Sequence, residues 1–187
     1  MVKKFNKISD YIIEDTNDID GLKYYPNFIE KEHANSLLKV LFNLDYKIVN
    51  KKPTKYFGVN YTHNKKKHTD KLQVLPHFFN LMKPVGLHFD QLEIKYFKKG
   101  EGHSYMSESD LFGNGILIVS FNSHYLLRFK KDDIIKEILI EPNSLLSISG
   151  EARKYSRLIP YKIKDRYCNK IFERKDMFIF TFRNINI

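Results

Sequence analysis

The stretch Gly100–Phe112, GEGHSYMSESDLF, follows the apolar run LEIKYF. A strand that enters a glycine-bracketed turn and then alternates is a usual way to begin a metal site on a β-barrel wall, because residues i and i+2 of a strand share one face. Such a site would want His-x-Asp where this chain has Met106-x-Glu108. Met106 offers a soft thioether, a poor partner for a hard or borderline dication, and one carboxylate alone is no metal site. The 7 histidines are His33, His63, His68, His77, His88, His103 and His124, so the strands that follow residue 124 have no imidazole to give. Two substitute arrangements remain: His103 with Asp110 across a loop, and His124 in SFNSHYLL. A histidine beside a glycine turn or at a strand end is more often a surface or capping residue than a ligand.

A different chemistry is written in the basic segment KIVNKKPTKYFGVNYTHNKKKHTDK. It holds Lys51, Lys52, Lys55, Lys65, Lys66, Lys67 and His68, with Tyr56, Phe57 and Tyr61 between them. Cations beside aromatic rings suit phosphate contact combined with base stacking. A solvated basic loop in a lysine-rich protein is the equally simple reading. Across the chain, 32 Lys and Arg against 22 Asp and Glu give a net charge of +10, which attracts polyanions such as nucleic acid.

The elements that must position these residues can be outlined. With 187 residues, 42% of them hydrophobic and 14% aromatic, the chain suffices for one domain with a real core. The 15 Phe and 12 Tyr point to a folded, β-rich class rather than disorder. The single Cys168 excludes an internal disulfide and a cysteine zinc site, so an intracellular, reducing compartment (cytoplasm or nucleus) is expected. No window reaches transmembrane length, and the early charges of MVKKFNKISDYIIEDTND do not read as a secretory signal.

Residues 1–20 read as a loose lead-in, with the folded domain over 21–187. LKYYPNF predicts a strand ending at Pro26. EKEHANSLLKVLFNL places Ala34, Leu37, Leu38, Leu41 and Phe42 on one helical stripe. A further strand is expected around Tyr56–Tyr61, and a second helix over LPHFFNLMKPV, from Pro76 to near Pro84. After Gly86 come short strands: LEIKYF, GILIVSF, YLLRFKK, KEILIEP, SLLSIS and MFIFTFR, with turns at Lys130–Asp133 and Glu141–Asn143. The pattern is α+β and mainly β, a sandwich or barrel closed on one side by helices.

Five pieces in order resemble the AlkB family of iron- and 2-oxoglutarate-dependent dioxygenases, which act on alkylated nucleic acids. EPNSLLSISGEARKYSRLIP is similar to the family's P-x-S-L-L-x-x-x-G-x-x-R-x-x-x-H-x-I-P. YYPNFIEKEHANSLLKVL, PTKYFGVNY, FDQLEIKYFKKGEG and FIFTFRNI match its opening strand and helix, its early G-x-x-Y segment, its strand before the metal site, and its final strand. The resemblance spans about Tyr24 to Ile187. It implies a double-stranded β-helix, a cupin-like jelly roll supported by two N-terminal helices, with the basic segment as the lid that touches nucleic acid.

The same resemblance puts Met106, Glu108 and Arg157 at the family's three metal-ligand positions. Lys95 and Phe97 fall where an Asn and a Tyr touch 2-oxoglutarate, and Met177 falls on the inner of two arginines, the outer being kept as Arg183. Arg157 is permanently cationic and cannot bind a cation. Arg157 and Glu108 are therefore expected to pair at the iron position, with no metal and no cofactor held. Open solvation of both groups in a cleft is the competing expectation.

Three function classes follow. One is a catalytically inactive AlkB-like protein that binds nucleic acid through Lys51, Lys52, Lys55, Tyr56, Tyr61, Lys65, Lys66 and Lys67, or binds a protein partner. The second is an active dioxygenase using Fe(II), 2-oxoglutarate and non-standard ligands. The third is a protein-binding scaffold or decoy with no nucleic-acid contact. The first is the expected one, and a membrane partner is not expected in any of them.

Overall fold

The computed structural model describes residues 19–58 and 89–185. In chain order the elements are β1 (Leu22–Tyr25), α1 (Lys31–Leu41), β2 (Lys47–Val49), β3 (Lys52–Gly58), β4 (Gln91–Phe97), β5 (His103–Met106), β6 (Phe112–Phe121), β7 (Tyr125–Lys131), β8 (Ile134–Ile140) and β9 (Leu145–Ser149). A short 3-10 turn, Gly150–Lys154, leads to β10 (Ser156–Ile159), β11 (Lys164–Tyr167), β12 (Lys170–Glu173) and β13 (Met177–Ile185). The larger sheet runs β1-β9-β6-β13-β4-β3-β2, the smaller β5-β10-β7-β8, and β11-β12 is a two-stranded ribbon. All pairings are antiparallel. This is a double-stranded β-helix jelly roll.

Period-two alternation divides the core into two layers. Phe178, Phe180 and Phe182 of β13, Leu92 and Ile94 of β4, and Leu117, Val119 and Phe121 of β6 pack with Ala34, Leu37 and Leu41 of α1. The alternate residues Met177 and Ile179 of β13, Phe97 of β4, and Ile116 and Ile118 of β6 face the smaller sheet, where they meet Leu127, Phe129, Ile138 and Ile159. The central strands are thus covered on both faces, which is why they read as continuous apolar runs. Charged residues in those runs on the inter-sheet face must find partners inside the protein.

Expected strands recur with sharper bounds. The turn anticipated at Lys130–Asp133 is Asp132–Asp133, and Asp132 takes φ 53. The strand expected around Tyr56–Tyr61 begins earlier, at Lys52, because β3 pairs with both β2 and β4. On the helical stripe, Ala34, Leu37 and Leu41 are buried, whereas Phe42 lies beyond the helix end and is 53% exposed. Its ring still meets Phe178 edge-on at 4.9 Å. The second expected helix, Pro76 to Pro84, lies outside the described residues. The β11-β12 ribbon was not anticipated: its turn uses Cys168 (φ 46) and Asn169 (φ 61) in place of the Asn-Gly pair that usually announces such a hairpin.

The glycine-bracketed turn before β5 is required by contact. A Cβ on Gly102 would lie 2.1 Å from the carbonyl oxygen of Ile159, so only glycine lets this backbone lie against the end of β10. That approach sets β5 and β10 side by side, with Met106 opposite Arg157.

Candidate ligand site between the sheets

The inter-sheet layer contains a partly open cavity of about 50 Å3. β4 sends Glu93 and Lys95 into it, β13 sends Thr181 and Arg183, β10 sends Arg157, and β5 sends His103 and Met106. Glu108 reaches in from just beyond β5. These positions follow from register: Thr181 lies opposite Glu93, and Arg183 opposite Gln91, across the β13-β4 ladder.

The charged groups form one connected network. Arg157 Nη2 donates to Glu108 Oε1 at 2.5 Å, and both side chains are only 7% exposed. Arg183 donates through Nε to Glu108 Oε2 at 3.0 Å and through Nη2 to Glu108 Oε1 at 3.1 Å. The same Nη2 donates to Glu93 Oε2 at 2.9 Å, and Nη1 to Gln91 Oε1 at 3.3 Å. Glu93 Oε1 accepts from the Tyr56 hydroxyl at 2.8 Å and pairs with Lys95 Nζ at 3.0 Å. The Arg183 guanidinium also stacks 4.9 Å from the Phe112 ring centroid. Two carboxylates against Arg157, Arg183 and Lys95 leave the cavity one positive charge in excess.

Electrostatics fixes the protonation states. Burial works to raise the Glu108 carboxyl, but Arg183 and Arg157 outweigh it and hold the group at about 2. Burial opposes Glu93 likewise, and Arg183, Lys95 and the Tyr56 hydroxyl bring it to about 2. Burial, then the negative Glu93, push Tyr56 upward. His103 is lowered to about 4, chiefly by burial and further by Lys95, Arg157 and Lys52. Its Nδ1 lies 2.8 Å from the Ser104 carbonyl oxygen, so Nδ1 carries the proton of the neutral ring.

The expected pairing of Arg157 with Glu108 is present, and the open-cleft alternative for these two groups is not. Arg183 and Lys95 are at the site but already engaged with carboxylates. Phe97 lines the cavity. Met177, at the position of the family's inner arginine in the resemblance, is buried against the inter-sheet core and lies opposite Phe97, while Ile179 and Thr181 of the same strand line the cavity. His103 lines the cavity, Asp110 is exposed, and His124 packs against the Phe172 ring at 5.2 Å, so these three do not converge. No three His, Cys, Asp or Glu side chains stand together as a metal cluster among the described residues.

The basic segment is only partly described. Lys51 is exposed at a tight turn with φ 64, and Lys55 is half-buried on β3. Lys52 pairs with Glu101 at 3.0 Å and lies over the Phe97 ring at 5.3 Å, and Tyr56 points inward to Glu93. Lys52 and Tyr56 are therefore committed within the protein rather than presented to a polyanion. Tyr61, Lys65, Lys66 and Lys67 lie outside the described residues. Sequence reasoning passed over Glu93 and Gln91. The signal was there in LEIKYF, where a carboxylate and an ammonium two residues apart share one face of an apolar strand.

Among solved structures, the fold is similar to that titled "The structure of OsALKBH1", with a TM-score of 0.64 and 10% identity, over 88% of this chain and 98% of that one. A 2OG-Fe(II) oxygenase family oxidoreductase from Burkholderia pseudomallei matches with a TM-score of 0.61 and 6% identity, over 87% of this chain and 83% of that one. The fold is that of the AlkB-like oxygenases. At such identities the likeness concerns the fold alone. No protein-family model and no curated protein matches the sequence.

Proposed function

We propose that this protein keeps the AlkB-like oxygenase fold without its iron chemistry and acts by binding. The observation that carries the reading is the Glu108 carboxylate, held between the guanidinium groups of Arg157 and Arg183. The residues at the resemblance's ligand positions do not fit Fe(II). A dication there would have one carboxylate, one thioether and two guanidiniums around it, with repulsion of several kcal/mol from each cation even at an effective dielectric of ~20. A dicarboxylate cosubstrate fits no better. Arg183 spends Nε and both terminal nitrogens on Glu108, Glu93 and Gln91, and Met177 stands where the resemblance expects the clamping arginine.

The binding partner we assign is nucleic acid, drawn to the net charge of +10, with Lys51, Lys55 and the lysines Lys65, Lys66 and Lys67 as the contacts. A scaffold that recognises only a protein is the second reading, favoured by the inward commitment of Lys52 and Tyr56. The exposed, unpaired Cys168 suits a reducing compartment. Among the described residues no helix is long and apolar enough to cross a membrane.

Two assays test these statements. Incubation with Fe(II), 2-oxoglutarate and methylated oligonucleotides is expected to consume no 2-oxoglutarate above a protein-free blank; sustained consumption would establish the active-enzyme class. Short single-stranded RNA and DNA are expected to bind, with affinity falling steeply between 50 and 200 mM salt, a range over which several phosphate contacts cost orders of magnitude. A flat salt response, or no binding, would leave the protein scaffold.

A further inference from the structure

Among the described residues the two sheets end on four strands, β1 and β2 in the larger, β5 and β8 in the smaller. β1, β2 and β5 have four, three and four residues, and β5 loses register against β10. Short or irregular edges of this kind resist pairing with another chain. β8 is different. Its seven residues, Ile134–Ile140, run in unbroken register along β7, and its other side carries no strand among the described residues. Ile134 and Ile135 are 49% and 55% exposed, one on each face of this edge.

The sequence IIKEILI reads nearly the same backwards about Glu137. When a strand pairs antiparallel with its own copy, opposite residues share a face, so they are separated by an even number of positions. The register centred on Glu137 meets that condition and uses the whole strand. Ile134 then faces Ile140 of the second copy, Ile135 faces Leu139, and Lys136 lays its stem along Ile138 with its ammonium in solvent. Glu137 meets its own copy, but Arg128 stands directly opposite it on β7 and donates to it through Nε. The row across the four strands is therefore Arg128–Glu137–Glu137–Arg128, with two charges of each sign.

Charge also selects the occupant. At a net charge of +10, the chain as a whole repels a second copy of itself. The β7-β8 hairpin is nearly balanced, with Arg128, Lys130, Lys131 and Lys136 against Asp132, Asp133 and Glu137. A polyanion finds little there to hold, whereas a second copy meets almost no repulsion.

We propose that β8 is a self-association edge, on which two copies pair β8 to β8 about a two-fold axis at Glu137 and join their four-stranded sheets into one. Both copies use the same surface, so the assembly closes at two. A strand pair about 23 Å long is a small contact beside a standard interface of roughly 1,600 Å2, so the dimer is reversible, dissociating on the order of 10 µM. The pairing is independent of the charge network between the sheets.

The test is sedimentation of the full chain, freed of nucleic acid, over roughly 1 to 500 µM, where monomer should pass to dimer and to nothing larger. Ile135→Lys puts a charge on an exposed edge position, and should keep the thermal midpoint while weakening the dimer about tenfold or more. Ile48→Lys, on the β2 edge, should leave the dimer unchanged. Hydrogen exchange should show alternate β8 amides slowing as concentration rises, and if Ile135→Lys fails to fold this pattern in the native chain decides. A monomer at every concentration overturns the inference, as do assemblies beyond two copies. So do a dimer that survives a folded Ile135→Lys, a dimer lost in Ile48→Lys, and β8 amides that exchange alike at low and high concentration.

Discussion

At the scale of single residues, Glu108 is the pivot, because two guanidiniums depend on it. Replacing it as Glu108→Gln keeps the shape but leaves Arg157 and Arg183 without their shared charge. Breaking a buried pair from one side costs about 3–5 kcal/mol, and urea unfolding at neutral pH should show a loss of that order. The acid limb carries the same signature. Glu108 and Glu93 fall from an ordinary 4.5 to about 2 on folding, so the unfolded chain binds more protons between those values. Their contribution is fully present above about 4.5 and is lost as pH falls toward 2, so Glu108→Gln should flatten this part of the stability curve. His103 acts in the next window up. With its folded value lowered to about 4 from 6.5, it stays neutral while the unfolded ring protonates. Stability should therefore decline as pH drops from 6.5 to 4, and an NMR titration should place the His103 midpoint near 4; a midpoint at 6.5 would mean an exposed ring. The Arg157–Glu108 pair was legible in the sequence because motifs on both sides of each residue fixed its position. Glu93 was not, since its main partner, Arg183, lies 90 positions away and only the β4-β13 register joins them.

At the scale of elements, the site depends on how β5 and β10 are brought together. Gly102 permits the contact, and the buried Arg174 secures it from the other side. Arg174 donates to both carboxylate oxygens of Asp165, at 2.5 Å and 2.8 Å, and to the carbonyl oxygens of Pro160 at 2.6 Å and Glu101 at 3.3 Å. One side chain thus ties the turn before β5, the exit of β10 and the start of β11. Arg174→Lys retains the charge but not the planar fork, so it should lower stability by roughly 3 kcal/mol or more in thermal or urea unfolding. A change within about 0.5 kcal/mol would mean that the fork is not what holds these segments. Arg174 and Asp165 carried no mark in the sequence, because the ribbon that presents Asp165 turns on Cys168 and Asn169 rather than on a recognisable turn pair. The long strands were plain for the opposite reason. β4, β6 and β13 are covered by α1 on one side and the smaller sheet on the other, and uninterrupted apolar runs record that double burial.

At the scale of the whole molecule, a jelly roll built to leave an opening between two sheets has that opening crossed by the chain Arg157–Glu108–Arg183–Glu93–Lys95. The fold was legible because alternation and turn spacing specify a β-sandwich, and the ordered motifs chose the jelly roll among sandwiches. The occupancy of the opening was only half legible, since charge balance in a closed space depends on every group that faces it. The central claim is that this network takes the place of a metal, and Mn(II) calorimetry on the full chain tests it most directly. Titration with Mn(II), with and without 2-oxoglutarate, should give no saturable heat in either case. A one-to-one isotherm that vanishes in Glu108→Gln would contradict the account.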